Sequence, residues 1–407
     1  MNLLLALLLM TSSFAHGPQD FQFNESLKRL ISNATRPDVS PGMVVASPSR
    51  ENPNYYYDWV RDTSLSMRAL IDYWELTRDQ RVENMLFIWV RSETRRQNVF
   101  TFSGLGEPKY NVDGSGYQGP WGRPQNDGPA LRALSMMKFA RLLIDSGRRD
   151  FVQRRLYTGV LPANTPIKKD LEYTAHHWRE PNFEPWEEEM GLHFYNLLVQ
   201  HTALSVGAGF ALELGDGGAA AFYEKEAREI GAFIRKNFLD PKIGIRVSVA
   251  VNRGLGYKNS GIDVTPLLAL IHTSPYQKLI SLRDPYVLRY VEVLKETFRN
   301  KYAVNKAYPD LGVALGRYPE DRYDGYTTGG KGNPWFLATL ALAEFECLSG
   351  NKSRAGLQFE RVHFHSDRSG ELDEQFNQDT GYMQGAYDLT WSHGAYLTAS
   401  FRCGYRP

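Results

Sequence analysis

Roughly eleven or twelve stretches of helical periodicity follow one another along this chain, separated by segments dense in Gly, Pro and aromatic residues. Apolar residues recur three and four apart. Leu27, Leu30 and Ile31 mark a helix over Phe21 to Asn33, Leu65, Met67, Leu70 and Ile71 one over Asp62 to Leu76, and Met85, Leu86, Ile88 and Trp89 one over Asp79 to Arg95. Asp127-Gly-Pro predicts a further start, with Asp127 as N-cap and Pro129 in the first turn of a helix reaching Ile144. Arg149 to Trp178 holds one or two more. Helices over Leu192 to Leu214, Ala219 to Phe238, Val264 to Ile271, Pro285 to Lys301, Pro334 to Leu348 and Leu389 to Phe401 complete the series. Long runs of alternating polarity are scarce, so the expected class is all-α. No Ser/Thr-rich linker, low-complexity block or break in composition divides the chain. That pattern fits one helical toroid with one face built from loops.

The 407 residues carry a formal net charge of +1 and no long run of one sign. Nucleic acid and anionic membranes are therefore poor candidates for a main partner. Met1 to Ala15 has a short apolar core, Leu3 to Met10, followed by Thr-Ser-Ser-Phe-Ala, a small-x-small pattern that predicts a secretory signal with His16 as the first mature residue. The core lacks a preceding Lys or Arg and is too short to span a bilayer. The expected organisation is a signal over 1–15 and one domain over 16–407, secreted to the exterior or a periplasm, with no accessory domain appended. Cys347 and Cys403 are the two cysteines; in a secreted chain they can pair or stay apart. No Cys/His spacing suits zinc, so no metal is expected. Asn24, Asn33 and Asn351 begin glycosylation sequons.

One stretch concentrates chemistry. Asn182-Phe-Glu-Pro-Trp-Glu-Glu-Glu-Met-Gly sets Glu184, Glu187, Glu188 and Glu189 beside Phe183, Pro185 and Trp186, just ahead of a long apolar helix. Crowded carboxylates against an aromatic wall disfavour ionisation, which is how a protein keeps a carboxylic acid ready to protonate a leaving group. The plainer reading is an acidic first helical turn, where the dipole would lower those pKa values.

Four other segments have the same make-up. Asn52-Pro-Asn-Tyr-Tyr-Tyr-Asp-Trp-Val-Arg-Asp brings Tyr55, Trp59, Arg61 and Asp62 to the mouth of a helix, and Trp121-Gly-Arg-Pro-Gln-Asn-Asp-Gly-Pro does so with Trp121. Gly316-Arg-Tyr-Pro-Glu-Asp supplies Arg317 ahead of Asn333-Pro-Trp-Phe; Leu372-Asp-Glu-Gln-Phe-Asn supplies Glu374, followed by Asp388-Leu-Thr-Trp-Ser with Trp391. Each mixes a stacking ring with charged groups able to bind paired hydroxyls. Singly, any of them is an ordinary cap or surface ion pair. Five of them, each preceding a helix of one toroid, point to a carbohydrate site.

In order and in detail these motifs resemble those of glucoamylases, the inverting glucan 1,4-α-glucosidases of glycoside hydrolase family fifteen, over nearly the whole mature chain. The resemblance implies an (α/α)6 barrel with a pocket at one end. It implies Glu187 as general acid, Glu188 as its substrate-binding neighbour and Glu374 as catalytic base. Arg61 and Asp62 match the pair that holds the terminal glucose, Arg317 a second sugar-binding arginine, and Tyr55, Trp59, Trp121 and Trp391 the aromatic walls. Glu184 stands where the family usually has Asp, Met190 replaces a polar residue, and Tyr323 to Asn333 is longer than in some relatives.

The implied reaction protonates the glycosidic oxygen from Glu187 while Glu374 activates water on the opposite face. It calls for an α-glucan substrate, no cofactor and no metal, and a monomer suffices. Two alternatives share part of this pattern: a toroid hydrolase of another linkage, such as a glucodextranase or trehalase, and a non-catalytic glucan-binding or regulatory domain.

Overall fold

Some helices of this protein are apolar almost all round and others along a single stripe, and that difference sorts them into two layers. The computed structural model describes residues 18–407, so the expected signal, Met1 to Ala15, lies outside the described residues. Among the described residues the helices run α1 (Pro18–Ala34), α2 (Val60–Thr77), α3 (Gln80–Arg96), α4 (Asp127–Asp145), α5 (Arg149–Arg155), α6 (Pro166–His177) and α7 (Phe194–Glu213). They continue with α8 (Gly217–Asn237), α9 (Thr265–Thr273), α10 (Pro285–Lys301), α11 (Ala303–Ala307), α12 (Phe336–Leu348), α13 (Lys352–His365) and α14 (Thr390–Arg402).

Helices α2, α4, α7, α9, α12 and α14 are buried over most of their circumference. Each packs on the next in that order and α14 closes back on α2, which makes a ring. The second layer lies outside it: α1 packs on α14, α3 on α2, α6 on α4, α8 on α7 and α13 on α12. Its members bury one stripe, as Val287, Tyr290, Val291, Leu294 and Phe298 do in α10. The Tyr290 hydroxyl donates to the Asp263 carbonyl, 2.6 Å away, just ahead of α9. Six inner and six outer helices, with α5 and α11 as short additions, form the (α/α)6 barrel that the motifs implied.

Local chemistry sets the boundaries. Asp284 accepts from the Tyr286 amide at 2.9 Å and Pro285 opens α10, so that start coincides with the sequence reading. Asp79 and Asp216 cap α3 and α8 in the same way. The N-cap reading of Asp127 is corrected: Asn126 occupies that position and Asp127 is the first residue of α4, because its carboxylate is drawn to Arg61, 3.2 Å away. Helix α13 escaped the sequence reading. Leu357 and Phe364 point outward, which blurs its stripe.

Cys347, at the end of α12, and Cys403, just past α14, form a disulfide, which settles the open pairing. Of the sequons, Asn33 is buried and donates to Thr390 Oγ1 at 2.9 Å, whereas Asn24 and Asn351 are exposed.

The bridge joins cysteines 56 residues apart in sequence and clasps two neighbouring inner helices. Replacing both cysteines by Ser is expected to lower the unfolding free energy by about 2–4 kcal/mol. Chemical denaturation of the two proteins side by side measures it.

Candidate active site

Five of the six inner helices, α2, α4, α7, α12 and α14, have their lead-in segments or first turns in the lining of one cavity of about 350 Å³. Trp59, Arg61 and Asp62 stand at the start of α2, Trp121 and Gly122 lead into α4, and Pro185, Trp186, Glu187 and Glu188 precede α7. Arg317, Tyr323, Thr328 and Trp335 precede α12, and Glu374 and Leu389 lead into α14, where Trp391 sits in the first turn. Asp263, ahead of α9, lies behind Trp186 and accepts from its indole N–H at 3.0 Å. The structure thus brings all ten residues singled out in the sequence to one place: Tyr55, Trp59, Arg61, Asp62, Trp121, Glu187, Glu188, Arg317, Glu374 and Trp391.

The acidic stretch is neither a helix turn nor a plain loop. Asn182–Phe183 and Met190–His193 pair as antiparallel strands, joined on the far side by Ser248–Arg253, and Glu184 to Glu189 form the reversal between them. Glu184 is turned inward and buried, where it accepts from the amides of Trp186, of Glu188 at 2.8 Å and of Glu189 at 2.9 Å. Those bonds hold Glu187 at a φ of 68°, a left-handed conformation costly for a non-glycine residue and kept only where its surroundings enforce it. Below the turn, Lys258 pairs with Asp263 at 3.0 Å and Glu189 at 3.2 Å. The helix-dipole reading of this stretch is therefore set aside; α7 begins only at Phe194.

Around Glu187, the Trp59 indole and the Gln125 amide each donate to Oε1 at 2.9 Å. Arg61 stands 3.8 Å from the same oxygen and orients Gln125 by donating to its Oε1 at 2.8 Å. With every donor on Oε1, Oε2 is the oxygen left to carry a proton. Glu188 is held differently: Arg317 pairs with it at 3.0 Å and the Tyr318 hydroxyl donates at 2.7 Å, while burial raises its pKa. Asp321 holds Arg317 in turn, accepting from its Nε at 2.8 Å.

Glu374 is fully buried across the cavity. Its amide donates to the Ala386 carbonyl at 2.9 Å, Oε2 accepts from Gln375 at 3.3 Å, and Oε1 has no hydrogen-bond partner. Burial pushes the carboxyl up to about 7, against the opposing pull of the Tyr55 and Tyr323 hydroxyls and of Arg317. Gly385 makes room for it: a Cβ there would lie 2.5 Å from Oε2, and the φ of +84° suits glycine. Burial likewise lifts Asp62 to about 7, opposed by Arg61 at 3.5 Å. Among the described residues Trp121 Nε1 and Trp335 Nε1 are buried without a hydrogen-bond partner, and Asp62 Oδ2 and Arg61 Nε have only their ion pair with each other, which suits a site awaiting hydroxyls. No group of three or more His, Cys, Asp or Glu among the described residues is arranged to hold a metal.

Residues 23–355 match the family described as Glycosyl hydrolases family 15. The chain belongs to that family. It is similar to the probable glucoamylase of Schizosaccharomyces pombe, with 34% identity over 90% of this chain and 85% of the relative. It is also similar to the intracellular sporulation-specific glucoamylase of Saccharomyces cerevisiae, with 29% identity over 94% and 82% of the two chains. The structure of the glucoamylase from Saccharomycopsis fibuligera superposes with a TM-score of 0.83 at 28% identity, covering 95% of this chain and 94% of that one.

Within this family 15 site the sequence reading assigned no role to Gln125, Tyr323 or Trp335. Gln125 and Trp335 lie inside motifs already quoted, but only the fold reveals that one holds Glu187 and the other lines the cavity. The raised carboxyl of Glu374 gives a stability test. Its folded pKa of about 7 exceeds the ordinary glutamate value of about 4.3, so ionising it costs stability progressively between those pH values and fully above them. Glu374→Gln is therefore expected to melt higher than the wild type at pH 8, with the gap closing by pH 5; thermal melts across that range check it.

Proposed function

We propose that this protein is an exo-acting glucan 1,4-α-glucosidase that releases β-D-glucose from the non-reducing ends of starch, dextrins and maltooligosaccharides with inversion. The observation that carries the reading is the pairing, in one cavity, of a carboxyl with one oxygen tied down and one left free with a buried carboxyl whose Oε1 is unbonded. Protonated Glu187 donates from Oε2 to the glycosidic oxygen as the C–O bond breaks. Glu374 accepts a proton at Oε1 from the water whose oxygen bonds to the anomeric carbon. Glu187 ends ionised and Glu374 protonated, and exchange with solvent resets both.

The remaining residues bind. Arg61 and Asp62 clamp adjacent hydroxyls of the terminal glucose, and fixing the ring this way lowers the entropic part of the barrier. Arg317 and Glu188 serve the next sugar, while Tyr55, Trp59, Trp121 and Trp391 supply ring faces and edges. A single copy suffices, because one chain furnishes every residue that lines the cavity. Secretion is supported by the apolar Leu3 to Met10 stretch and by the disulfide, which persists in oxidising compartments.

Glu187→Gln and Glu374→Gln are each expected to lower turnover of maltose by at least 10²–10⁴-fold while the protein stays folded. Near-wild-type turnover in either variant sinks the pair. NMR of the nascent sugar is expected to show the β-anomer first, and α-glucose appearing first overturns the assignment of Glu374 as a water-activating base. Parallel digests of maltose, isomaltose and trehalose separate this activity from a glucodextranase or trehalase.

A further inference from the structure

Lys109 lies one layer behind the acid. It is Trp59's register partner in the two-residue strand pair Asp58–Trp59 and Lys109–Tyr110, so the two side chains share a face. Its ammonium stands 3.5 Å from the ring centroid of Trp121, 4.0 Å from Tyr57, 4.2 Å from Tyr117 and 4.8 Å from Trp59. The rings also brace one another: Trp59 against Trp121 at 5.9 Å, Tyr57 against Tyr117 at 5.4 Å, and Tyr117 against Trp121 at 5.9 Å. Lys109 is 2% exposed, and its ammonium has no hydrogen bond or ion pair among the described residues. A buried lysine normally meets a carboxylate or carbonyl; this one is held by ring faces alone.

The cage does not reach the cavity, since Lys109 is absent from the lining, but two of its walls do. Trp59 and Trp121 line the pocket, and the Trp59 indole donates to Glu187. Glu187 and Lys109 also feel each other's charge, as does Arg123 behind the cage; desolvation is the larger influence and lowers the lysine to about 8. Glu187 is faced by Arg61 and Asp62 as well.

We propose that Lys109 is a positioning residue for Glu187: its caged ammonium fixes the indole that hydrogen-bonds the acid and sets a positive charge behind it. The proposal rests on the reading of Glu187 as the acid. Removing that charge is therefore expected to show in the alkaline limb of the rate profile. Tyr57 and Tyr117, which are absent from the cavity lining, then serve to hold that charge without neutralising it, as a carboxylate partner would.

The test is the pH dependence of kcat and kcat/KM on maltose for Lys109→Met, Lys109→Gln and Lys109→Arg, with melting curves alongside. Lys109→Met and Lys109→Gln are expected to move the alkaline limb up by about half a pH unit or more and to lower kcat by about tenfold, with a smaller change in KM. Lys109→Arg keeps the charge and is expected to hold the limb at its wild-type pH. A limb unmoved in Met and Gln variants that have lower melting temperatures overturns the proposal and leaves Lys109 a structural residue. If neither neutral variant folds, Lys109→Arg decides: a limb displaced as the neutral side chains should displace it overturns the proposal, and an unmoved limb supports it. Loss of turnover in Glu187→Gln beside an unmoved limb in the Lys109 variants isolates failure to this proposal, whereas full turnover in Glu187→Gln is a failure of the acid assignment itself.

Discussion

The guanidinium of Arg61 is the contact on which the site's geometry depends. It is buried at the first turn of α2, where it touches Asp62 beside it, Asp127 at the first residue of α4, Gln125 ahead of α4 and Glu187 in the turn that leads to α7. Three neighbouring inner helices are tied at one end by one charge. A buried arginine is costly unless its donors are satisfied and its charge is balanced, and the carboxylates around it are what make the burial tolerable. The same bonds then dictate where Glu187 sits, since Gln125 is oriented by Arg61 and holds Glu187 in turn.

Arg317 plays the matching part on the other wall. It lies between Asp321, on its own turn, and Glu188, which immediately follows Glu187. The turn bearing Glu187 and Glu188 is therefore held from both sides by arginines that come from different sectors of the ring, and from beneath by Glu184 and Lys258. These restraints explain why a left-handed residue survives at Glu187. Across the cavity Glu374 has different surroundings: full burial, a glycine in close approach and one oxygen without a hydrogen-bond partner among the described residues. Glu187 has its donors gathered on one oxygen, whereas burial dominates at Glu374, so two carboxyls of one chemical type sit in unlike surroundings.

The toroid makes this possible because the segments leading into α2, α4, α7, α12 and α14 converge on one cavity. Helix N-termini carry partial positive charge, a favourable place for Asp62 and Asp127 in the first turns of α2 and α4. The outer layer contributes no lining residue; it buries the backs of the inner helices and keeps the ring closed.

The sequence by itself determined the helical class, most helix positions and the residue types of the site, because amphipathic periodicity and compound motifs are local properties of the chain. Pro285 after Asp284 set the start of α10 without help from the fold, and Trp186-Glu187-Glu188 and Glu374-Gln-Phe stand out wherever the chain goes. Tertiary structure decided the rest. Asp127 reads as a cap until Arg61, 66 residues away, draws its carboxylate off. The acidic stretch reads as a helix start until strands on either side bend it into a reversal. The cysteines pair because α12 and α14 are ring neighbours, and Lys109 looks like any surface lysine until four rings from two segments close round it. In each case the deciding partner is distant in sequence, and burial turns an ordinary polar residue into one whose few contacts fix its charge and direction.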